Sequence, residues 1–380
     1  MIAARHGFVG GRFVEGLTVE HDRGQITAVR PWAAGDPEPL PGTLMPGLVN
    51  AHLHAELSWA HRQIPGGQGF AGWVDGLLAL RRPEGDAPAR QAVAMLLSHG
   101  TAAVSDICNG PDTGGLFAAS GIGGVVQRER FGMHGPRLAG LLAEAAQPPV
   151  RHSGRVPVIS RASPHAVYST PAALIQATAG AEGLGYPASI HISEDPLEHA
   201  FLADGSGPMS ERLDAMGADW SWYQAPGLSP IAWLDALGVL GPGLLLVHGV
   251  HLDAADRDRI AAAGASLCIC ARSNLHIGGQ LPDLPALLES GCGLALGTDS
   301  LGSCDDLDVL SEVPVLHEAF PQIPVERLVS MATAGGADAL GLGWAGRIEV
   351  GRAPGLVLYE APPAALYDAP RRWLVPPGVL

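Results

Sequence analysis

Seven short apolar runs recur through the middle of the chain: Ala102–Ile107, Ile122–Gln127, Val156–Ser160, Ser189–Ser193, Leu244–His248, Ser266–Cys270 and Gly293–Gly297. Helical character appears between or beyond them, at Ala89–His99, Pro171–Ala181, Glu211–Met216, Ala254–Ala263, Leu284–Ser290 and Val325–Ala334. Runs this apolar suit strands buried on both faces, and their alternation with helices predicts parallel βα units. Adding Gly47–His52 makes eight strands available, enough for a closed (β/α)₈ barrel; an open parallel sheet satisfies the same pattern.

Both chain ends read differently. Phe8–Val9, Phe13–Val19 and Gln25–Val29 are short mixed segments punctuated by glycine and proline, and the pattern returns at Gly346–Val350 and Leu356–Tyr359. Such segments predict small antiparallel strands. The expected division is a small β-sandwich from residues 1–45 and 340–380 around a barrel at residues 46–339.

Ionisable residues fall at the ends of the apolar runs. His52 and His54 follow an apolar entry segment, His191 ends Ala188–Ile190, His248 closes Leu244–Val247, and Asp299 follows Leu294–Leu296. The C-terminal ends of parallel barrel strands open on one mouth, so these residues are expected to converge there. A single histidine so placed is commonly a satisfied core residue; five residues sharing the placement need another reason. Positions i and i+2 of an extended strand face one side, so the rings of His52 and His54 can reach one metal. His191-x-x-Glu194 places a ligand at a strand end and an acid/base residue on the loop beyond. Alone, either spacing also suits incidental surface residues.

Composition removes several chemistries. The chain of 380 residues has no lysine, its 23 strongly basic residues all being arginine. That excludes a Schiff-base lysine, a P-loop lysine, a lysine-anchored pyridoxal phosphate and a lysine-carbamate bridge between two metals. A formal net charge of -15 disfavours a nucleic-acid partner. The five cysteines, at 108, 268, 270, 292 and 304, are not spaced like a secreted disulfide framework. Cys268-x-Cys270 has no second pair to complete a thiolate cage. No basic region followed by an apolar run opens the sequence, and the apolar stretch near Val239–Val247 is interrupted by Gly-Pro-Gly. A soluble, cytoplasmic protein with no membrane partner is expected.

Taken in order, the polar blocks form a larger pattern. They are Pro46-Gly-Leu-Val-Asn-Ala-His-Leu-His-Ala-Glu-Leu-Ser58, Ser163-Pro-His-Ala-Val-Tyr-Ser169, His191-Ile-Ser-Glu194, Val247-His-Gly-Val-His-Leu-Asp253, Arg272-Ser-Asn-Leu275 and Gly297-Thr-Asp-Ser300. Together they resemble the amidohydrolase superfamily, in its deaminase and chlorohydrolase branch. Gly346-Arg-Ile-Glu-Val-Gly351 is similar to that family's returning sheet segment. The resemblance implies a distorted (β/α)₈ TIM barrel holding one divalent metal ion, with zinc expected and iron or manganese as alternatives. It implies His52, His54, His191 and Asp299 as metal ligands, Glu194 as the proton-shuttling acid and His248 as the residue that orients water or polarises the substrate. Asp299 is also expected to accept the proton of the attacking water. His251 is better read as the start of the next helix than as a ligand.

Substrate identity rests on the loops. Ala55-Glu-Leu-Ser58, followed by Pro65-Gly-Gly-x-Gly-Phe70 and Trp73, resembles a subgroup containing aminodeoxyfutalosine deaminases of menaquinone biosynthesis. That subgroup acts on an adenine-bearing nucleoside whose extension ends in a benzoate. The resemblance makes Glu56 and His165 candidate substrate contacts and Phe70 with Trp73 a candidate aromatic lid, with ordinary packing the competing reading. Arg130, Arg137 and Arg161, near the ends of the third and fourth predicted barrel strands, are candidate benzoate partners; a salt bridge explains each equally well. Ser273 and Asn274 are read either as substrate contacts or as local turn bonding. Adenosine, S-adenosylhomocysteine, guanine, cytosine, triazine or a cyclic amide would suit the same apparatus. Chloride displacement is disfavoured because an amine leaving group needs the acid, Glu194, more than chloride does. A non-catalytic metal-binding barrel is the alternative of another class. Homodimerisation is expected only from similar enzymes.

Overall fold

The computed structural model describes residues 1–179 and 185–378. Strands β1 (Ile2–Val9) and β2 (Arg12–Asp22) meet across Gly10–Gly11, whose φ angles of 60° and 76° are the left-handed pair a tight hairpin turn requires. β3 (Gln25–Pro31) pairs antiparallel with β2, and β4 (Leu40–Pro46) runs parallel to β1. The chain then enters the barrel through β5 (Leu48–Leu53), β6 (Thr101–Cys108) and β7 (Gly123–Arg130). β8 (Val150–His152) is a short antiparallel edge on β9 (Val158–Pro164). β10 (Ala188–Ile192), β11 (Leu244–His248), β12 (Ser266–Ile269) and β13 (Gly293–Leu296) follow, all parallel. β14 (Leu356–Tyr359) and β15 (Arg371–Val375) return to the first sheet.

The barrel strands form two sheets, β5-β6-β7-β9-β8 and β10-β11-β12-β13. Parallel bridges Ala166–His191 and Leu53–Asp299 join them at both seams, which closes eight strands and leaves β8 outside. The interior is filled by small and branched side chains, among them Val49, Ala51, Ala103, Val125, Leu245 and Val247, so it is a packed core with its polar groups at one end. Asn50 locks the second seam: its amide donates to Thr298 Oγ1 at 2.8 Å while its Oδ1 accepts from Thr298 N–H at 3.1 Å. Gly297 is required beside it, because a Cβ there would stand 2.7 Å from the His52 carbonyl oxygen and 2.8 Å from Cys268 Sγ. Gly297→Ala is therefore expected to cost about 1–3 kcal/mol of stability by overpacking, read from denaturant unfolding. It should also weaken metal binding, because the strand that moves carries His52.

Strands from both ends form one continuous six-stranded sheet, ordered β15-β14-β4-β1-β2-β3. Ala4, Leu17, Val19, Ile26, Leu44, Leu356 and Val375 make its own small core. The expected sandwich thus takes the form of a single hydrogen-bonded sheet. The strand predicted at Gly346–Val350 is absent. Gly346 turns at φ 71°, and a Cβ there would lie 2.5 Å from the Thr333 carbonyl oxygen, so the chain bends where a strand would have to start. Pairing with β3 is confined to the turn that follows, where Ile26 N–H donates to Arg352 O and Gly351 N–H to Ile26 O.

Helices agree more closely: Ala254–Ala263 is as predicted, and Ala89–His99 is observed as Ala87–Ser98. The helix predicted at Pro171–Ala181 is seen over Ala172–Ala179, its last two positions lying outside the described residues. No helix among the described residues is long and apolar enough to cross a membrane. All five cysteines are free and buried.

Candidate metal centre and active site

A break in strand alternation sets the first two histidines. Val49 and Ala51 face the barrel interior, so strict alternation would point Leu53 inward as well. The pairing of β5 with β6 shifts register between Asn50 and Leu53, Leu53 packs among Ala92 and Leu96 outside, and His52 and His54 face the mouth. The other site residues sit on tight turns at strand ends. His248 has φ 76° and Asp299 φ 59°, both left-handed, and Ser193 between His191 and Glu194 has φ 49°. Non-glycine residues adopt that conformation at a cost in strain, and three of the five that do so among the described residues lie at this mouth.

The groups so placed converge. His54 Nε2 lies 3.4 Å from His191 Nε2 and 3.5 Å from Asp299 Oδ1, and His52 Nε2 lies 3.9 Å from the same oxygen. Donor atoms of His52, His54 and Asp299 fall within 4.8 Å of one another, as do those of His52, His191 and His248. His52 is fully buried, yet neither of its ring nitrogens has a hydrogen-bond partner, and His54 Nδ1 has none either. Buried polar atoms without partners are costly, and a cation at the cluster would engage one nitrogen of each ring and so relieve part of that deficit.

The protonation states agree. Burial holds His54 at about 3 and His191 at about 4, and pushes His52 and His248 well below the usual imidazole range. Neutral imidazole is the form that binds metal. His191 donates from Nδ1 to the His165 carbonyl oxygen at 3.0 Å, which turns the Nε2 lone pair toward the cluster. Asp299 Oδ2 accepts from Ser273 at 2.5 Å and from Ser303 at 3.4 Å, leaving Oδ1 toward the histidines.

Residues 43–371 match the amidohydrolase family. The chain is an amidohydrolase. It is 30% identical to the aminodeoxyfutalosine deaminase of Deinococcus radiodurans, over 78% of this chain and 73% of the relative. It is 29% identical to a 5-methylthioadenosine/S-adenosylhomocysteine deaminase of Nitratidesulfovibrio vulgaris, over 81% of this chain and 69% of that one. Its fold matches the crystal structure of Helicobacter pylori aminofutalosine deaminase with a TM-score of 0.81 at 19% identity, covering 100% of this chain and 99% of the other. Family and cluster together make this amidohydrolase a hydrolase of carbon–nitrogen bonds that uses a single divalent metal ion held by histidine and aspartate.

Around that centre the amidohydrolase places the remaining sequence candidates unevenly. Glu194 Oε1 stands 3.7 Å from His248 Nε2, and burial, with Asp299, Glu198 and Asp195 nearby, pushes the Glu194 carboxyl well above the carboxylate range. Asn274 donates its amide to His248 Nδ1 at 3.0 Å, so the His248 proton sits on Nε2, toward Glu194. Ser273 and Asn274 are both buried, and their side chains bond to Asp299 and His248. His165 lies over His191 with ring centroids 5.0 Å apart and bonds Ser169 through Nδ1. Phe70 lines a recess with Glu194 and Asn274, whereas Trp73 donates to the Gly302 carbonyl at 3.1 Å and pins the helix Gly69–Ala79 to the loop beyond β13.

The arginines considered from sequence have other surroundings. Arg161 is buried, with three of its five N–H donors on the carbonyl oxygens of Ala162, Tyr186 and Thr178. Arg130 pairs with Glu144 at 3.0 Å and Arg137 is exposed. Glu56 does lie near the mouth, but both its oxygens are engaged, by Arg82 at 2.5 Å and by Asn109 N–H at 2.8 Å. His251 belongs to none of the metal-competent groups among the described residues. Arg82, Asn109 and Glu129 belong to no motif read from the sequence; the one signal for Glu129 was its place at the end of an apolar run, as with the histidines.

Proposed function

We propose that this amidohydrolase deaminates an adenine-type nucleoside, with 6-aminodeoxyfutalosine as substrate, which places it in menaquinone biosynthesis. The observation that carries the deaminase reading is the Glu194–His248 pair at 3.7 Å beside the histidine–aspartate cluster. A carboxyl kept protonated by burial is suited to give its proton to a ring nitrogen. The choice of nucleoside is supported by the names of the Deinococcus and Helicobacter relatives.

His52, His54, His191 and Asp299 would hold the metal. Three imidazoles and a carboxylate suit zinc, and iron or manganese accept the same donors. A divalent ion there would lower the pKa of a water molecule and make a nucleophile available near neutral pH. Asp299, steadied by Ser273 and Ser303, takes the proton released as water adds to C6 of the purine. Glu194 protonates the adjacent ring nitrogen and then helps pass a proton to the departing amine. His248 Nε2–H steadies the oxygen as charge develops on it, its ring held by Asn274. Water and the amino compound give the oxo compound and ammonia, with no redox cofactor.

A second reading is 5-methylthioadenosine or S-adenosylhomocysteine, supported by the 29% identity to the Nitratidesulfovibrio enzyme. Ammonia release from aminodeoxyfutalosine, both of these thioadenosines and adenosine, using zinc-loaded protein, separates the readings. The highest kcat/KM is expected for aminodeoxyfutalosine. A preference for either thioadenosine would replace it with the second reading, and no turnover of any compound would end both.

A further inference from the structure

A cavity of about 630 Å³ lies at the end of the barrel away from the metal centre. Ser266 and Gly293, the first residues of β12 and β13, line it, whereas Asp299 follows the far end of β13. Ser266 Oγ fits there because position 293 is glycine; a Cβ at that position would stand 2.8 Å from it. The tip of the β1–β2 hairpin covers one side, where Gly11 leaves its Cβ position 3.4 Å from Ser330 Oγ. Another side is Met331–Gly335, a single π-helical turn between the helices Val325–Ser330 and Gly336–Ala339. Turns of this kind occur frequently at functional sites. Gly335 lets the turn press on the barrel, since a Cβ there would lie 2.3 Å from the Leu294 carbonyl oxygen.

Phe8, Leu294, Met331 and Ile348, all buried, give the cavity apolar walls. Its carboxylates are already engaged. Arg347 forks onto both oxygens of Asp338, at 2.7 and 2.5 Å, and Arg352 holds Glu349 at 2.6 Å, so a cation would find no free partner. Arg327 differs: it is exposed, and among the described residues no carboxylate pairs with it. The cavity therefore carries one uncompensated positive charge beside apolar walls. A guanidinium presents a planar fork of donors that matches a carboxylate. Small-molecule sites in general are cavities of roughly 300–1,000 Å³, mostly apolar with a few polar groups, and they favour junctions between substructures. This one lies between the terminal sheet and the barrel.

We propose that this cavity is a second ligand site, separate from the metal centre, that takes a small organic carboxylate. Arg327 meets the carboxylate, and the apolar body of the ligand lies against Phe8, Leu294, Met331 and Ile348. The site stands independently of which nucleoside is deaminated.

The test titrates phenylacetate, hexanoate, phenylacetamide and inorganic phosphate into the zinc-loaded full chain by calorimetry, as wild type, Arg327→Gln and Ala334→Phe. Ala334 lines the cavity, so its phenylalanine fills the space, whereas Arg327→Gln removes only the charge. Metal content per chain should stay at the wild-type value in both. Wild type is expected to bind phenylacetate about 10- to 100-fold more tightly than phenylacetamide, the worth of a hydrogen bond to a charged group. Arg327→Gln should bring that ratio near one, and Ala334→Phe should abolish binding of both carboxylates. If Ala334→Phe does not fold, a wild-type crystal soaked in phenylacetate replaces it, and density beside Arg327 supports the site. Carboxylate binding that survives either variant unchanged, or density at the metal centre alone, would overturn the proposal. So would phosphate binding as tightly as phenylacetate, because the apolar walls would then contribute nothing. No binding of either carboxylate to wild type would end it.

Discussion

Glu194→Gln is expected to lower kcat by about 10²- to 10⁴-fold, the usual worth of a positioned acid/base group, while metal content per chain stays at the wild-type value. The glutamine keeps the volume and a hydrogen-bonding oxygen beside His248, and Glu194 is not among the metal-competent groups, so loss of the proton is isolated from loss of the site. A pH signature should accompany it. Burial, reinforced by the negative charges of Asp299, Glu198 and Asp195, raises the Glu194 pKa in the folded state. The acid form therefore persists above the ordinary carboxylate range and is lost as pH rises through the raised value, giving an alkaline limb in kcat that Glu194→Gln abolishes. Stability should move the other way. A carboxyl whose folded pKa lies above its unfolded one binds more protons when folded, so it costs stability once pH exceeds the unfolded value. At neutral pH the glutamine variant is expected to melt no lower than wild type, which calorimetry measures. A melting temperature well below wild type, or turnover within about threefold of it, would sink the assigned proton route, because a residue in that role contributes far more.

The residues that cluster as candidate metal ligands were legible because their signal is periodic. Apolar runs ended by His191, His248 and Asp299 mark strand C-termini, and the parallel barrel does gather them at one mouth. His52-x-His54 was read as one face of a strand, and both rings do point inward. The parity that achieves this depends on the register shift between Asn50 and Leu53, which no spacing rule reveals. Arg161 was legible as a residue near a strand end, but what its guanidinium meets was not. In this fold it is in register with Gln127, its neighbour Ala162 packs outside against Leu174, and its guanidinium reaches the carbonyl oxygens of Thr178 and Tyr186. Ser273 and Asn274 stood at the right place with an undetermined role, since only the fold brings Asp299 and His248 within reach of their side chains. Glu129 and Asn109 were missed because their pairing spans two strands and the gap of 20 residues between them matches no motif.

Removing the metal is expected to abolish turnover and lower the melting temperature together, with both restored by adding zinc. The cluster leaves His52 with two unpartnered buried nitrogens and Asp299 with a buried carboxyl whose pKa burial raises, so the protein without the ion carries uncompensated polar groups at its core. A ligand that binds only the folded state stabilises it by about 4 kcal/mol at a thousandfold excess over Kd, so the thermal shift should be large. Substitution can separate the ligands from the polarising residue. His52→Ala and Asp299→Ala should lose both metal and turnover, because each removes a donor from the group within 4.8 Å. His248→Ala should keep a full metal equivalent and still lose turnover, since Asn274 occupies Nδ1 and the proton is left on Nε2, facing Glu194. A nitrogen that carries a proton cannot also bind a cation, so in the proposed mechanism His248 donates to the substrate's developing oxygen. If His248→Ala lost its metal as completely as His52→Ala, the His52–His191–His248 group would be the true shell and His54 the displaced member.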